Sequence, residues 1–268
     1  MVSPLALYAA KGHRAVGGWL GRLDAEIFRV LFEFQSQQAL SGSVAEIGGH
    51  QGKSFTALCL GLRQSEKAYC IDVFNDERVS VRSGPGNREE RERNLARFNV
   101  DLSKVVIDER LSEDVNAADI VNAVGRIRFF SIDGGPWEEI VRANLCLAEQ
   151  CIEPYGIVAL DDFHRPEWPE VSLGFFSWKP QRPLVAFAIG FNKLYLCEKD
   201  WAEKYQAAIS NDAFVRQFRV KDTVFRGRQM PVFQEYILPE YSTKRRLLAI
   251  ARVFHPDLYA TLKRFLKK

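Results

Sequence analysis

VAEIGGHQGKS, residues 44–54, decides the fold. A short apolar run ends in an acid, Glu46. A glycine turn follows, Gly48-Gly49-His50-Gln51-Gly52, and Lys53-Ser54 open a helix. Glycines at such a turn admit positive φ and let the backbone approach a ligand without an intervening Cβ. Strand, glycine loop and helix at the start of an α/β sheet is the arrangement that holds nucleotide-like cofactors.

Downstream, apolar strands alternate with helical patterns. Residues 68–73 read as a second strand carrying Asp72 near its end, about 20 residues past the loop. A polar stretch, 75–87, reads as a functional flap because it is long for a simple connection. A charged helix over 88–98 follows, then a strand at 105–107, then Leu111-Ser112-Glu113-Asp114 and a short helix to 124. Strand 128–132 ends at Asp133, and helix 137–151 follows Pro136. Strand 157–160 ends at Asp161-Asp162. Such alternation predicts a mostly parallel sheet with right-handed crossovers. The pattern then changes. Strands at 184–189 and 193–197 are separated by too few residues for a parallel crossover, so they pair antiparallel. A helix at 200–209, a hairpin of 218–225 and 231–236 turning at Gly227-Arg228, and two basic helices near 243–254 and 257–267 complete the chain.

Upstream, residues 1–40 read as helical, with Asp24 capping a helix over 25–40. Ser41-Gly42-Ser43 breaks it. The expected fold class is α/β: a Rossmann-like doubly wound seven-stranded sheet with an antiparallel last strand. One domain is expected, with an N-terminal helical lid (1–43), a cofactor-binding core (44–200) and a C-terminal hairpin and helical extension (201–268).

Composition narrows the class. The chain has 268 residues, of which 47% are hydrophobic, enough for a sizeable core. No apolar run reaches the roughly 18 residues of a membrane span. Lys11, His13 and Arg14 interrupt the N-terminal apolar stretch, so no secretory leader is expected. Five cysteines stand singly in apolar segments without a CxxC, which predicts reduced thiols and a cytoplasmic location. The net charge is +3, but from residue 241 onward eight bases face one acid, Asp257. The basic helices are amphipathic. They suit either an anionic membrane surface, as a peripheral contact, or packing on the domain or on a second copy in a homo-oligomer. No nucleic-acid partner is expected.

Three cofactors compete for the glycine loop. A dinucleotide loop needs GxGxxG, and glycines at 48, 49 and 52 miss that spacing. A P-loop needs GxxxxGK[ST]; Lys53-Ser54 fit, but its first glycine would fall on Ile47, so the loop is one residue short. The third reading takes acid-x-Gly-x-x-x-Gly, Glu46 to Gly52, which resembles the first motif of class I methyltransferases that use S-adenosylmethionine. Asp72 then suits the ribose hydroxyls, as an acid does at that place in dinucleotide sites.

The resemblance extends through SGPGNREERERNL (83–95), the segment 129–171 with its IDGGPW, LDD and WP elements, and FNKLYLC (191–197). These resemble a bacterial class I methyltransferase family related to the macrocin O-methyltransferase group, which modifies sugars and glycans. It covers about residues 25–200. In that family a histidine commonly follows IDGG; here Pro136 stands in its place.

The resemblance implies O-methylation of a sugar hydroxyl or glycoconjugate, with a small-molecule or glycan acceptor. Cofactor contacts are expected from Glu46, Gly48, Gly49, His50, Gly52, Ser54, Asp72, Ser112 and Asp133. Asp133, Asp161 and Asp162 at successive strand ends form an oxygen-rich set suited to Mg²⁺ or Mn²⁺. Asp133, Asp161 and His164 are the catalytic candidates, His164 as a base near the crevice. Trp137 and Trp168 flank it. Two other readings stay open: a P-loop-like nucleotide hydrolase, and a degenerate methyltransferase fold that binds without turnover.

Overall fold

The computed structural model describes residues 2–74 and 87–235. The chain divides into two compact units, Met1–Gln234 and Glu235–Lys268. The division falls inside the expected 201–268 extension, and the two basic helices lie outside the described residues, as does the flap over 75–86.

Among the described residues nine strands form one sheet: β1 (Ser43–Ile47), β2 (Ala68–Ile71), β3 (Val105–Asp108), β4 (Ile127–Ile132), β5 (Ile152–Leu160), β6 (Leu184–Ile189), β7 (Leu194–Glu198), β8 (Arg219–Phe225) and β9 (Arg228–Phe233). Their order is β3-β2-β1-β4-β5-β7-β6-β9-β8. Strands β1 to β5 pair parallel, and β7 runs antiparallel between β5 and β6. The sheet is therefore Rossmann-like with an antiparallel β7, as expected. It has nine strands and not seven because the C-terminal hairpin joins it: β9 pairs parallel with β6 at Ile189 and Val232. The hairpin turns at Arg226-Gly227, one residue earlier than expected. Both residues take positive φ, 47° and 76°, as a two-residue hairpin turn requires.

Among the described residues eight α-helices accompany the sheet: α1 (Pro4–Ala10), α2 (Arg22–Gln37), α3 (Lys53–Leu60), α4 (Arg88–Arg97), α5 (Ala117–Val124), α6 (Glu138–Cys151), α7 (Pro169–Ser177) and α8 (Lys199–Asn211). Side chains alternate across each strand. Phe130 and Ile132 therefore face the core shared with α5, α6 and α7. Phe129 faces the other side, packed at 4.8 Å against Phe28 and 5.1 Å against Phe32 of α2. A buried ion pair ties α2 to this face: Arg128 reaches Glu66 at 2.8 Å and donates to Gln35 at 2.7 Å.

Two helices differ from expectation. Asp24 does not cap α2; Gly21 does, and Asp24 lies in the first turn, 1% exposed, accepting from the Tyr195 hydroxyl at 3.3 Å. Helix α7 was not expected. Pro169 opens it, where the missing N–H costs nothing, and Val171 and Phe175 anchor it. All five cysteines are free thiols, four of them buried and Cys146 half-buried. Among the described residues no helix is long and apolar enough to cross a membrane.

Candidate active site

The strand order reverses between β1 and β4, so the carboxyl ends of these strands border a crevice. The loop that leaves β1 is held to the end of β2 by two bonds. The Gly48 N–H donates to the Ile71 carbonyl at 2.9 Å, and the His50 N–H donates to Asp72 Oδ2 at 2.6 Å. The other Asp72 oxygen accepts from the Phe74 N–H at 2.8 Å. Asp72 thus pins the glycine loop to the end of β2, and each oxygen keeps a lone pair for a ribose hydroxyl.

The glycines have a second purpose besides admitting a ligand. A Cβ on Gly49 would stand 2.5 Å from Arg91 Nη1 and from Cys70 Sγ, and one on Gly52 would stand 2.6 Å from Arg91 Cγ. Arg91 of α4 is fully buried beneath the loop, its guanidinium 4.1 Å from the centre of the Phe74 ring. Its Nη1 donates to Cys70 Sγ at 2.8 Å, while Nε and Nη2 close no hydrogen bond among the described residues.

Glu46 lies on the same face of the sheet. It is fully buried, in register with Cys70 and Ser131 on the neighbouring strands. Neither carboxylate oxygen closes a hydrogen bond among the described residues. Burial pushes its carboxyl up to about 7 against the help of nearby Ser54, Lys193, Ser131 and Arg91. A buried acid with unused oxygens suits a cationic ligand group above it.

At the other side of the crevice Asp133, Asp161 and Lys193 come together. Asp161 is 4% exposed; its Oδ1 accepts from the Asp162 N–H at 2.9 Å and its Oδ2 stands 2.5 Å from Lys193 Nζ. Lys193 is 1% exposed. Burial alone would lower its ammonium, but Asp161, Asp24 and Asp133 more than offset this and hold it above the usual lysine range. Asp133 is half-buried. Desolvation, then the Asp161 charge, raises its carboxyl well above the ordinary value.

The expected metal set does not form. Asp161 Oδ2 is held by an ammonium, and Asp162 turns away, with Asn192 Nδ2 at 3.5 Å from its Oδ1 and Arg165 Nε at 3.9 Å. The Pro136 side chain supplies no ligand atom. Among the described residues no group of three or more His, Cys, Asp or Glu is placed to hold a metal ion. His164 also departs from the expected geometry. It is exposed, its N–H donates to Ser172 Oγ at 3.2 Å, and its ring packs 4.0 Å from that of Phe163. Ser112 sits in a 3₁₀ turn and its hydroxyl meets Glu113 at 3.0 Å. Trp137 packs over Gly135, where an added Cβ would stand 2.8 Å from the indole ring, and Trp168 packs against the core.

The N-terminal segment reaches the loop. Tyr8 donates to the Lys53 carbonyl at 2.7 Å, and Lys53 Nζ donates to the Gly18 carbonyl at 3.0 Å. Trp19, 63% exposed, stands 5.1 Å from the His50 ring.

Residues 45–163 match the family described as Methyltransferase domain. This stretch is a methyltransferase domain. It begins at β1 and ends just past the Asp161-Asp162 pair, so it contains the crevice but not Lys193. None of the curated proteins matches the sequence. The solved O-methyltransferase NovP superposes with a TM-score of 0.53 at 15% identity, over 66% of this chain and 79% of its own. CalS11, a TDP-rhamnose 3'-O-methyltransferase, gives 0.48 at 16% identity, over 68% and 82%. The S-adenosylhomocysteine-bound PaMTH1 of Podospora anserina gives 0.49 at 14%, over 75% and 89%. At these identities the likeness is one of fold. The cofactor of the methyltransferase domain is S-adenosylmethionine. The residues fit it. Glu46 would offer it an unused buried carboxylate, residues 48–52 backbone at close approach, and Asp72 acceptors for ribose.

Glu46→Gln tests this fit by moving stability and binding in opposite directions. With its carboxyl at about 7 in the fold and 4.5 outside it, Glu46 keeps a proton that the unfolded chain has released. Its cost is absent below about 4.5 and complete above about 7, at about 3 kcal/mol. The glutamine variant is therefore expected to melt higher than the parent near pH 8 and equally near pH 4. Loss of a charge-assisted contact of about 1.5–3 kcal/mol weakens S-adenosylhomocysteine roughly 10- to 100-fold. Melting curves at both pH values and calorimetry check both halves; a variant that binds as well as the parent removes Glu46 from the cofactor site.

Proposed function

We propose that the methyltransferase domain methylates a hydroxyl of a sugar or glycoconjugate. The observation that carries methyl transfer is the cradle at the end of β1: a pinned glycine loop over a buried Glu46 whose oxygens have no partner among the described residues. The cofactor supplies an activated methyl group, so the protein must place the acceptor and receive its proton. Asp133, half-buried at the end of β4, is the carboxylate set to receive that proton. The Lys193–Asp161 pair beside it fixes the local charge. The hydroxyl class of the acceptor rests on the sequence resemblance to sugar-modifying enzymes.

The free thiols and the absence of a membrane-spanning helix among the described residues support a cytoplasmic setting. The basic segment after residue 241 is assigned to an anionic surface or to a second copy on its sequence alone. Calorimetry separates the main readings. S-adenosylhomocysteine is expected to bind at micromolar or tighter affinity and ATP not at all. Tight ATP binding without S-adenosylhomocysteine binding would restore the P-loop reading. Cofactor binding with no transfer of labelled methyl to any of a panel of nucleotide sugars, phenols and lipid-linked glycans would favour a binding module.

A further inference from the structure

We propose that the Lys193 ammonium is the built-in cation of this centre, standing where a divalent metal would need to bind beside Asp161 and Asp133, so that the protein works without a metal. The placement follows from the sheet. Leu160 of β5 pairs with Leu194 of β7 in antiparallel register, so one step further Asp161 stands opposite Lys193. The Gly190 N–H donates to the Lys193 carbonyl at 2.7 Å and fixes the chain just before β7. The side chain then runs into a buried site with Asp161, Asp24 and Asp133 around it, and Nζ rests 2.5 Å from Asp161 Oδ2.

A hard dication needs that same oxygen. Mg²⁺ binds oxygen at about 2.0–2.1 Å in a near-octahedral set. An ammonium and a dication on one carboxylate oxygen repel strongly in a buried site. The second Asp161 oxygen is already an acceptor for the Asp162 N–H, and Asp162 turns toward Asn192 and Arg165. The Pro136 side chain brings no lone pair to the crevice, and its backbone brings no N–H. Both Asp161 oxygens that a metal would recruit are thus committed and position 136 offers no side-chain donor, while the positive charge that a metal would bring is present. Its catalytic meaning rests on the methyl-transfer reading, but the charge substitution is measurable without any acceptor.

The test is Mn²⁺ titration of the full chain, loaded with S-adenosylhomocysteine, followed by electron paramagnetic resonance. Wild-type protein is expected to leave the free Mn²⁺ signal as in buffer, and Lys193→Arg to do the same. Lys193→Met is expected to take up one Mn²⁺ per chain, and adding Asp161→Asn to abolish that uptake. A wild-type chain that binds Mn²⁺ and loses it on Asp161→Asn overturns the proposal, and this arm needs no lysine variant to fold. A folded Lys193→Met that leaves Mn²⁺ free overturns it as well. Failure of S-adenosylhomocysteine to bind speaks against the cofactor reading alone, since the Mn²⁺ measurement is repeated on the unloaded chain.

Discussion

Gly48→Ala is expected to cost about 4 kcal/mol or more and to abolish cofactor binding. Gly48 has φ of +86°, and its missing Cβ would stand 1.8 Å from the carbonyl oxygen of Asp133 and 2.6 Å from the carbonyl carbon. The left-handed backbone alone costs an alanine about 1–2 kcal/mol. The rest comes from the obstacle, which is backbone. The Asp133 N–H donates to the Ile47 carbonyl at 2.9 Å, so the ends of β1 and β4 cannot part without breaking that bond. Gly125→Ala is the control. Gly125 has φ of +81° and ψ of −174°, a region essentially reserved for glycine, with open space around its missing Cβ, so about 1–3 kcal/mol is expected there and no change in binding. Urea denaturation and S-adenosylhomocysteine calorimetry on both variants decide the matter. Equal losses at the two positions would remove the β1–β4 contact from the account.

Lys193→Met is expected to destabilise the fold by about 3–5 kcal/mol, because it leaves buried carboxylates without their cation. Asp161→Asn is expected to be costly for the converse reason. The double variant should recover most of the combined loss, since a pair removed together leaves no uncompensated charge. Asparagine keeps an oxygen for the Asp162 N–H, so the loop after β5 retains its anchor. A double-mutant cycle on unfolding free energies reads the coupling directly. Simple additivity of the two single losses would show that the 2.5 Å contact does not tie the residues energetically.

The glycine loop, Asp72 and the strand-end acids were legible in sequence because each depends on local order: apolar run, acid, turn. Arg91 was not singled out, although its signal was present. The inward stripe of the charged helix runs from Leu95 back one turn through Asn94 to Arg91, and all three are buried. A charged residue on such a stripe reads as solvated until something is known to lie beneath it. Lys193 lay inside the quoted NKL element, but its partner is 32 positions away and on a strand of opposite direction. His164 is the opposite case. Its position three residues after Asp161 suggested proximity, yet its positive φ of 65° and its N–H bond to Ser172 leave it at the surface.

The sequence by itself determined the doubly wound alternation and the antiparallel β7, because hydrophobic period and connection length are local quantities, while the class of cofactor came from the resemblance of the glycine turn to a methyltransferase motif. Tertiary structure alone decided what the glycines accommodate and what neutralises the acids. Gly49 and Gly52 make room for Arg91, Gly48 makes room for the Asp133 backbone, and Asp161 meets an ammonium where a metal was expected. Those outcomes depend on which distant side chains share one face of the sheet, and strand register sets that only when the sheet assembles.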